Sequence, residues 1–226
     1  MVITSRDNEK LKLVRKLRDR RWRDKLGLFV AEGEDLVEAA GGIAPVELLI
    51  AGENVTAELM AEVSSLAHPP RVIGVYRRED LPRGARPVTL ALWRVADPGN
   101  VGTLLRSADA FGAGIALSAG CADPTGPKAL RASMGAIFRV PTVEFDEAQG
   151  RRVALVPHGG EPLDAVDLSG DVVMLLGAER EGLPPDVRRD VTASILQHGE
   201  SLNVAMAGTV ALYEVARRGS TGTIGA

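Results

Sequence analysis

The sequence predicts an α/β protein, in which a mostly parallel sheet with helices on both faces follows a smaller α/β unit. Apolar runs of strand length alternate with amphipathic runs of helix length along the chain. A hydrophobic fraction of 45% over 226 residues is enough for a sizeable core. Residues 81–87, rich in proline and glycine, are typical of a linker, so we expect domains at residues 1–83 and 87–226.

The N-terminal unit begins with a basic amphipathic segment, EKLKLVRKLRDRRWRDKLG, in which apolar residues at helical spacing and a final glycine predict one helix. The predicted elements that follow are the strand LFVAEG, the helix EDLVEAAGG, the strand VELLIAG, the helix AELMAEVSSLA and the strand RVIGVYRR. This order predicts a small α/β layer.

The C-terminal part repeats the alternation. Its predicted strands are VTLALWRV, GIALSAG, RRVALVPHGG, DVVMLLGAE and TASILQ, and its predicted helices are VGTLLRSADAFGA, GPKALRASMGAIF and a last one from Asn203 to about Arg218. Because ligands of such sheets bind at the carboxyl ends of the strands, we expect the site there.

Several classes of protein are disfavoured by the sequence. No apolar run reaches the length of a membrane span, and the N-terminus has no apolar signal-peptide core, so we expect a cytoplasmic protein. Cys121 is the only cysteine, which excludes an intrachain disulfide. The three histidines are scattered, so no metal site is predicted.

The formal net charge of −3 hides a basic N-terminus. Residues 1–25 contain ten Lys or Arg and four acidic residues, a local net charge of +6. Such a block attracts RNA by counterion release, although a solvated helix face with i,i+4 partners explains the same pattern. The candidate RNA-binding residues are Lys10, Lys12, Arg15, Lys16, Arg18, Arg20, Arg21 and Arg23.

Three polar turns follow three of the predicted strands. They are DPGNVGTLLR (97–106), LGAEREGLP (176–184) and HGESLNV (198–204). In the first turn, Asn100 can cap a helix and lies on its polar side with Arg106. The alternative is plain capping with a surface pair between Arg106 and Asp109. No dinucleotide or P-loop glycine motif stands at a strand end.

The second and third turns also allow two explanations each. Glu179 lies between Gly177 and Gly182, so a carboxylate could meet a ligand that the backbone approaches closely, or the glycines simply end a strand. Ser201 or Asn203 can cap a helix whose small side chains permit very close packing. The alternative there is an ordinary capped helix in a crowded core.

Taken together, the turns resemble the three signature motifs of the SpoU family of RNA ribose 2′-O-methyltransferases, a branch of the SPOUT superfamily. The matching segments are NVGTLLRSADAFGA, LGAEREGL and SLNVAMAGTVALYE, with PKALRASMGA between the first two. The resemblance covers roughly residues 87–218. The segments SRDNEKLKLVRKL and LFVAEGEDLVEAA are similar to the ribosomal-protein-like RNA-binding domain that precedes many of these enzymes.

The resemblance implies a deep trefoil knot, a homodimer with its active site near the interface, and S-adenosylmethionine as cofactor, with no metal. The implied cofactor-binding residues are Val156, Pro157, His158, Gly177, Glu181, Ile195, Leu196, Gln197, Ser201 and Leu202. The implied catalytic residues, which surround the ribose hydroxyl, are Asn100, Arg106, Glu179 and Asn203. Arg106 is often assigned as the base in this family, but a guanidinium stays protonated near neutral pH. We therefore expect Arg106 to hold a phosphate and stabilise the developing alkoxide.

The chain departs from the family pattern at Ala178, where asparagine is frequent, and at Ile195-Leu196-Gln197, where Ile-Pro-Met is frequent. The predicted function is S-adenosylmethionine-dependent methylation of a ribose 2′-hydroxyl in structured RNA, with ribosomal RNA favoured over transfer RNA. One alternative is a non-catalytic RNA-binding protein that retains the fold. Another, a nucleotide-binding α/β enzyme of a different class, is disfavoured because the phosphate loops are missing.

Overall fold

The computed structural model describes residues 2–195, 199 and 201–221, with side chains to residue 219. The N-terminal part contains a three-stranded antiparallel sheet of β1 (Leu28–Glu32), β2 (Glu47–Ile50) and β3 (Val72–Arg77), in the order β1-β3-β2. Two short helices accompany it, α3 (Glu34–Ala39) and α4 (Ala57–Val63). The predicted strand–helix order of this part is confirmed.

The single basic helix predicted at the N-terminus is wrong, because the segment forms two helices, α1 (Glu9–Lys16) and α2 (Arg20–Leu26). Asp19 breaks the segment by capping α2, since its side chain accepts from the backbone N–H of Arg21 at 2.8 Å. Arg23 folds back and donates to the carbonyls of Leu17 and Arg18, at 2.9 and 2.8 Å. The break is therefore stabilised by side chains that a helical periodicity does not reveal.

The C-terminal part is built on a parallel sheet of seven strands in the order β6-β5-β4-β9-β7-β10-β8. Its strands are β4 (Val88–Leu92), β5 (Gly114–Leu117), β6 (Thr142–Glu144), β7 (Arg151–Val156), β8 (Glu161–Pro162), β9 (Val172–Leu176) and β10 (Val191–Ser194). The predicted α/β class with a parallel sheet is confirmed. The two outermost strands, β6 and β8, were not predicted because neither has an apolar run of strand length.

Three helices belong to this sheet, namely α5 (Pro98–Ala110), α6 (Pro127–Ser133) and α7 (Val204–Thr221). Helices α5 and α7 cover one face, and the hydroxyls of Ser107 and Thr209 join them at 2.6 Å. A Cβ at Gly208 of α7 would overlap the side chains of Leu104 and Leu176. The small residues of α7 thus allow this helix to lie directly against α5 and the sheet.

The prediction that helices cover both faces of the sheet is wrong for the second face. In the described ranges it is covered by a single 3-10 turn, Phe145–Glu147, and by residues near Val187. The ring of Phe145 packs edge-on against Trp93 at a centroid distance of 5.1 Å. Many side chains of the sheet on this face are alanines, including Ala91, so a short segment is enough to fill the shallow layer.

The N-terminal and C-terminal parts share one apolar cluster, in which the rings of Phe29 and Tyr76 lie 5.7 and 5.1 Å from that of Phe138. Beside it lies a polar group that we call the junction cluster, made of Arg23, Asp24, Arg78, Asp123 and Thr125. The Asp123 carboxylate receives hydrogen bonds from Arg23 and Arg78, each at 2.8 Å. The junction cluster therefore ties α2 and β3 to the C-terminal part.

Candidate functional site

Three loops at the carboxyl edge of the parallel sheet bring Asn100, Glu179 and Asn203 together. The Nδ2 of Asn100 donates to Oε1 of Glu179 at 2.9 Å, and the Nδ2 of Asn203 donates to Oδ1 of Asn100 at 3.1 Å. These bonds are exposed, so a ligand can reach the groups that form them. We call these three residues the amide–carboxylate network.

Helix caps orient the two asparagines of the network. The Oδ1 of Asn203 caps α7 by accepting from the backbone N–H groups of Ala205 and Met206, at 2.9 and 3.3 Å. The expectation that Asn100 caps its helix is wrong, because Asp97 caps α5 by accepting from the backbone N–H of Asn100 at 3.0 Å. The side chain of Asn100 is thereby left for Glu179 and Asn203.

The pKa of Asp97 lies below its ordinary value, chiefly because Lys128 donates a hydrogen bond to its carboxylate at 2.9 Å. The backbone N–H of Asn100 acts in the same direction. The cap of α5 is therefore a carboxylate that stays ionised and is matched by a cation.

Arg106 is not part of the network. It lies further along α5, is exposed, and makes no hydrogen bond or ion pair with the residues that the structure describes. The predicted surface pair between Arg106 and Asp109 does not form, because Asp109 pairs with Arg139 at 2.7 Å. The guanidinium of Arg106 is consequently available to a ligand.

A cleft of about 480 Å³, the first cleft, opens between the ends of β7, β9 and β10 and the start of α7. Seven of the predicted cofactor residues line it: Val156, Pro157, Gly177, Glu181, Ile195, Ser201 and Leu202. His158 is not among its lining residues, and Leu196 and Gln197 lie outside the described residues. The volume is within the range of small-molecule sites.

Sequence reasoning missed several residues of the first cleft, among them Leu155, Leu176, Arg180 and Ala207. Leu155 and Leu176 lie at or near the carboxyl ends of β7 and β9, which is the signal that would have found them. Ala207 belongs to the small-sided face of α7, whose close packing brings it to the cleft.

The loop after β9 folds back on itself beside the first cleft. The backbone N–H of Gly182 donates to the carbonyl of Ala178 at 2.9 Å, and Gly182 adopts a left-handed φ of 67°. A Cβ at Gly177 would overlap the backbone of Gly182 and Leu183. Gly177 is therefore required for this close approach, which brings the backbone of residues 177 and 178 to the cleft wall.

A second cleft of about 460 Å³ lies beside the first and is lined by Arg94, Ala96, Asp97, Asn100, Gly120 and residues 178–181. Asn100 lines the second cleft, Asn203 lines the first, and Glu179 lines both. The network thus stands where two ligands in neighbouring clefts would meet, an arrangement suited to the transfer of a group between them.

The N-terminal basic residues divide into paired and unpaired groups. The prediction that Arg23 contacts RNA is wrong, because its side chain is only 6% exposed and pairs with Asp123. The side chains that form hydrogen bonds or ion pairs with neighbours are those of Lys10, Lys12, Arg15, Arg18 and Arg20. Arg21 is exposed, and the exposed Lys16 lies 5.4 Å from the centre of the Trp22 ring.

Two features of the described residues bear on the class of site. Across the described ranges, no three His, Cys, Asp or Glu side chains are grouped so that they could hold a metal ion. None of the described helices combines the length and the apolar character that crossing a membrane requires.

Two family models match the chain. The model of the SpoU rRNA Methylase family matches residues 87–213, and that of the MRM3-like substrate binding domain matches residues 8–78. Among similar curated proteins, the 23S rRNA (guanosine(2553)-2′-O)-methyltransferase RlmP of Bacillus subtilis is 29% identical over 94% of this chain and 98% of its own.

Two solved structures have a similar fold. An AdoMet-bound rRNA methyltransferase from Sinorhizobium meliloti superposes with a TM-score of 0.84 at 29% identity, over 96% of this chain and 98% of its own. The SpoU methyltransferase AviRb from Streptomyces viridochromogenes, in complex with AdoMet, superposes with a TM-score of 0.82 at 26% identity, over 95% and 99%. These matches confirm the predicted SPOUT fold class. The trefoil knot that the resemblance implies stays a prediction, because residues 196–198 and 200, which precede the Ser201-Leu202-Asn203 turn, lie outside the described residues.

Proposed function

Because the chain belongs to the SpoU rRNA Methylase family, we propose that it is an enzyme that methylates a ribose 2′-hydroxyl of ribosomal RNA with S-adenosylmethionine (AdoMet). The observation that carries this proposal is the amide–carboxylate network of Asn100, Glu179 and Asn203 between two clefts. The names of the similar 23S rRNA 2′-O-methyltransferase and the AdoMet-bound neighbours support the reaction and the cofactor.

The first cleft fits AdoMet by its size and its lining. Its walls combine apolar side chains, such as Leu155 and Ile195, with the backbone of the tight loop at Gly177. Apolar walls with a few fixed polar groups are typical of a cofactor site. When bound, AdoMet supplies a methyl group on a positively charged sulfur. We assign the first cleft to AdoMet and the second to the target nucleotide.

The reaction requires the ribose oxygen to be aligned with the methyl carbon. The methyl group of bound AdoMet would pass to O2′, the electron pair of the C–S bond would stay with sulfur, and the hydroxyl proton would need an acceptor on the protein. Oε1 of Glu179 accepts from Asn100, so Oε2 is the atom that we assign to the hydroxyl proton. Asn100 holds that carboxylate in place and Asn203 holds Asn100, which lowers the entropic cost of alignment.

Arg106 carries a charge that the described residues do not neutralise. A guanidinium stays protonated near neutral pH, so we assign Arg106 to a phosphate of the target RNA and to the developing negative charge on O2′, and not to the role of base. Its planar fork can form two parallel hydrogen bonds with a phosphate.

We assign residues 1–83 to RNA binding and residues 87–226 to methyl transfer. The match to a substrate binding domain over residues 8–78 supports this division. Arg21 and Lys16 are the predicted contacts that remain exposed and whose side chains form neither a hydrogen bond nor a salt bridge in the described part of the chain, and we place RNA against them. A ribosomal RNA substrate would place the enzyme in the cytoplasm.

We further propose that the enzyme is a homodimer. Met206, Val210 and Tyr213 recur at helical spacing on α7 and are 63%, 40% and 57% exposed. An apolar stripe of this kind is typical of a surface that a second subunit covers. Sedimentation velocity at micromolar concentration should give the mass of a dimer, and a monomer at that concentration would refute this assignment.

The cofactor assignment is tested by calorimetric titration with AdoMet and with S-adenosylhomocysteine. Saturable binding of both is expected, because the first cleft should hold the shared adenosine and amino acid groups. Ile195→Arg would place a charged side chain in the wall of the first cleft and should weaken both affinities. Absence of binding by the wild-type protein at millimolar ligand would favour the alternative, a non-catalytic RNA-binding protein that retains the fold.

A further inference from the structure

Arg94, just beyond the end of β4, has a backbone conformation that glycine adopts more readily. Its φ is 52°, and in the described part of the chain only Arg94 and Met134 are non-glycine residues with positive φ. Arginine is strained in this region whereas glycine is not. Strained residues of this kind cluster at ligand sites, and Arg94 lines the second cleft.

The backbone of Arg94 is held by Ser118, and its side chain passes beside Gly120. The backbone N–H of Arg94 donates to the hydroxyl of Ser118 at 2.9 Å. A Cβ at Gly120 would lie 3.3 Å from Cγ and 3.4 Å from Nε of Arg94, and the φ of Gly120 is 92°. The absent side chain of Gly120 therefore makes room for the arginine, which is fixed at its base and free at its tip.

The second cleft is lined by three carboxylates, so a phosphate that enters it needs a cation nearby. Asp97, Glu179 and Glu181 line the cleft, and an RNA strand entering it brings further negative charge. Lys128 is committed to Asp97 at 2.9 Å. The other arginine of the cleft, Arg180, is carried on the exposed loop after β9.

The guanidinium of Arg94 is held only loosely. Its Nη1 lies 3.6 Å from Oε2 of Glu181, beyond hydrogen-bond distance, and its side chain is 57% exposed. Its donors are therefore available to an incoming phosphate, which accepts two of them in parallel.

We propose that Arg94 binds a backbone phosphate next to the methylated ribose and thereby positions that ribose against Asn100 and Glu179. This inference rests on the proposed function, because it takes RNA to be the ligand of the second cleft. Arg94 acts on the position of the substrate and not on the proton or the methyl group.

The test is Arg94→Gly, which removes the guanidinium and relieves the backbone strain. With in vitro transcribed 23S rRNA, the KM should rise at least about tenfold while kcat at saturating RNA stays near that of the wild type. In RNA-binding titrations, the slope of log Kd against log salt concentration should fall by about one, which corresponds to one lost phosphate contact. The affinity for AdoMet should not change.

Arg188→Ala is the matched control. Arg188 is 78% exposed, and its guanidinium lies 3.6 Å from the carboxylate of Asp190, the same separation as between Arg94 and Glu181. It precedes β10, so it lies at the amino ends of the parallel strands, away from the two clefts. Its removal should leave the KM and the salt slope unchanged.

Wild-type KM and salt slope in Arg94→Gly would overturn the inference, as would a loss confined to kcat or to AdoMet affinity. Failure of the proposed function is a separate result, namely no methyl transfer to RNA by the wild-type protein. The salt slope does not depend on methyl transfer, so it tests Arg94 in either case.

Discussion

The junction cluster pairs its charges and buries the pair of Arg23 and Asp123, whereas the amide–carboxylate network exposes its polar groups to two clefts. In the junction cluster, the side chains of Arg23 and Asp123 are 6% and 8% exposed, and Thr125 donates to the same carboxylate. In the network, Glu179 is exposed and receives one hydrogen bond, from Asn100. The comparison separates polar residues that stabilise the fold from polar residues that remain available to a ligand.

Asp123→Ala gives the largest expected effect on stability, because it leaves the buried charge of Arg23 without its partner. Breaking a buried pair in this way costs about 3–5 kcal/mol. Urea denaturation followed by circular dichroism measures the loss. The exposed pair of Arg71 and Glu53 supplies the control, since Glu53→Ala should cost less than about 1 kcal/mol. Equal losses in the two variants would show that the junction cluster is no more important than a surface pair.

Arg106→Ala tests a charge of the opposite kind, one that is exposed and available to a ligand. We expect methyl transfer to fall at least about 100-fold, the loss typical of removing a group that stabilises developing charge. Stability should change by no more than about 0.5 kcal/mol, because Arg106 is exposed and has no partner among the described residues. The rate of transfer to 23S rRNA and the urea midpoint, measured on the same preparation, separate the two effects.

Arg106→Lys sharpens that result, since it keeps the charge and removes the planar fork. We expect a large loss here too. Turnover like that of the wild type would contradict the proposed contact between Arg106 and a phosphate.

Gly208→Ala tests whether the close packing of α7 against α5 and the sheet stabilises the fold. The added Cβ would overlap Leu104 and Leu176, so stability should fall by about 1–3 kcal/mol. Gly219→Ala, on the same helix with open space at the Cβ position, should be neutral or slightly stabilising. Differential scanning calorimetry of both variants would refute the packing argument if their melting temperatures were equal.

The smallest expected effect concerns pH. Burial alone would raise the pKa of Asp123, but hydrogen bonds from Thr125 and Arg23 and the charge of Arg78 outweigh it and lower the pKa. The stability that Asp123 contributes is therefore present above its ordinary value of 3.8 and is lost as the pH falls through and below that value. Asp123→Asn should lose stability less steeply than the wild type between about pH 5 and pH 3. Identical slopes of unfolding free energy against pH would contradict this account.

The sequence was a good guide wherever its pattern was regular. Alternating apolar runs predicted the central strands, and the three polar turns predicted Asn100, Glu179 and Asn203, which the fold brings into one network. The sequence also predicted that Arg106 lies on the polar side of α5. It could not predict that Arg106 is unpaired in the described part of the chain, because Asp109 pairs instead with Arg139, 30 residues after Asp109 in the chain.

Other features depend on contacts that no local pattern reveals. Arg23 and Arg21 look alike in the basic segment, and only the distant Asp123 makes one of them a buried structural residue. The break between α1 and α2 depends on local side-chain contacts that helical periodicity does not show, because Asp19 caps α2 and Arg23 satisfies the carbonyls that the break releases. The strand β8 contains only two residues, so it forms only because β10 offers it an edge.

The most direct test of the proposed function follows the methyl group itself. The protein is incubated with AdoMet labelled in its methyl group and unmodified 23S rRNA, and the RNA is then hydrolysed with alkali, which a 2′-O-methyl group blocks at its own nucleotide. We expect the label in alkali-resistant dinucleotides with the wild-type protein and its near absence with Asn203→Ala. Label in mononucleotides, which would place the methyl group on a base, or no label in any RNA, would contradict the assignment of this site to ribose methylation.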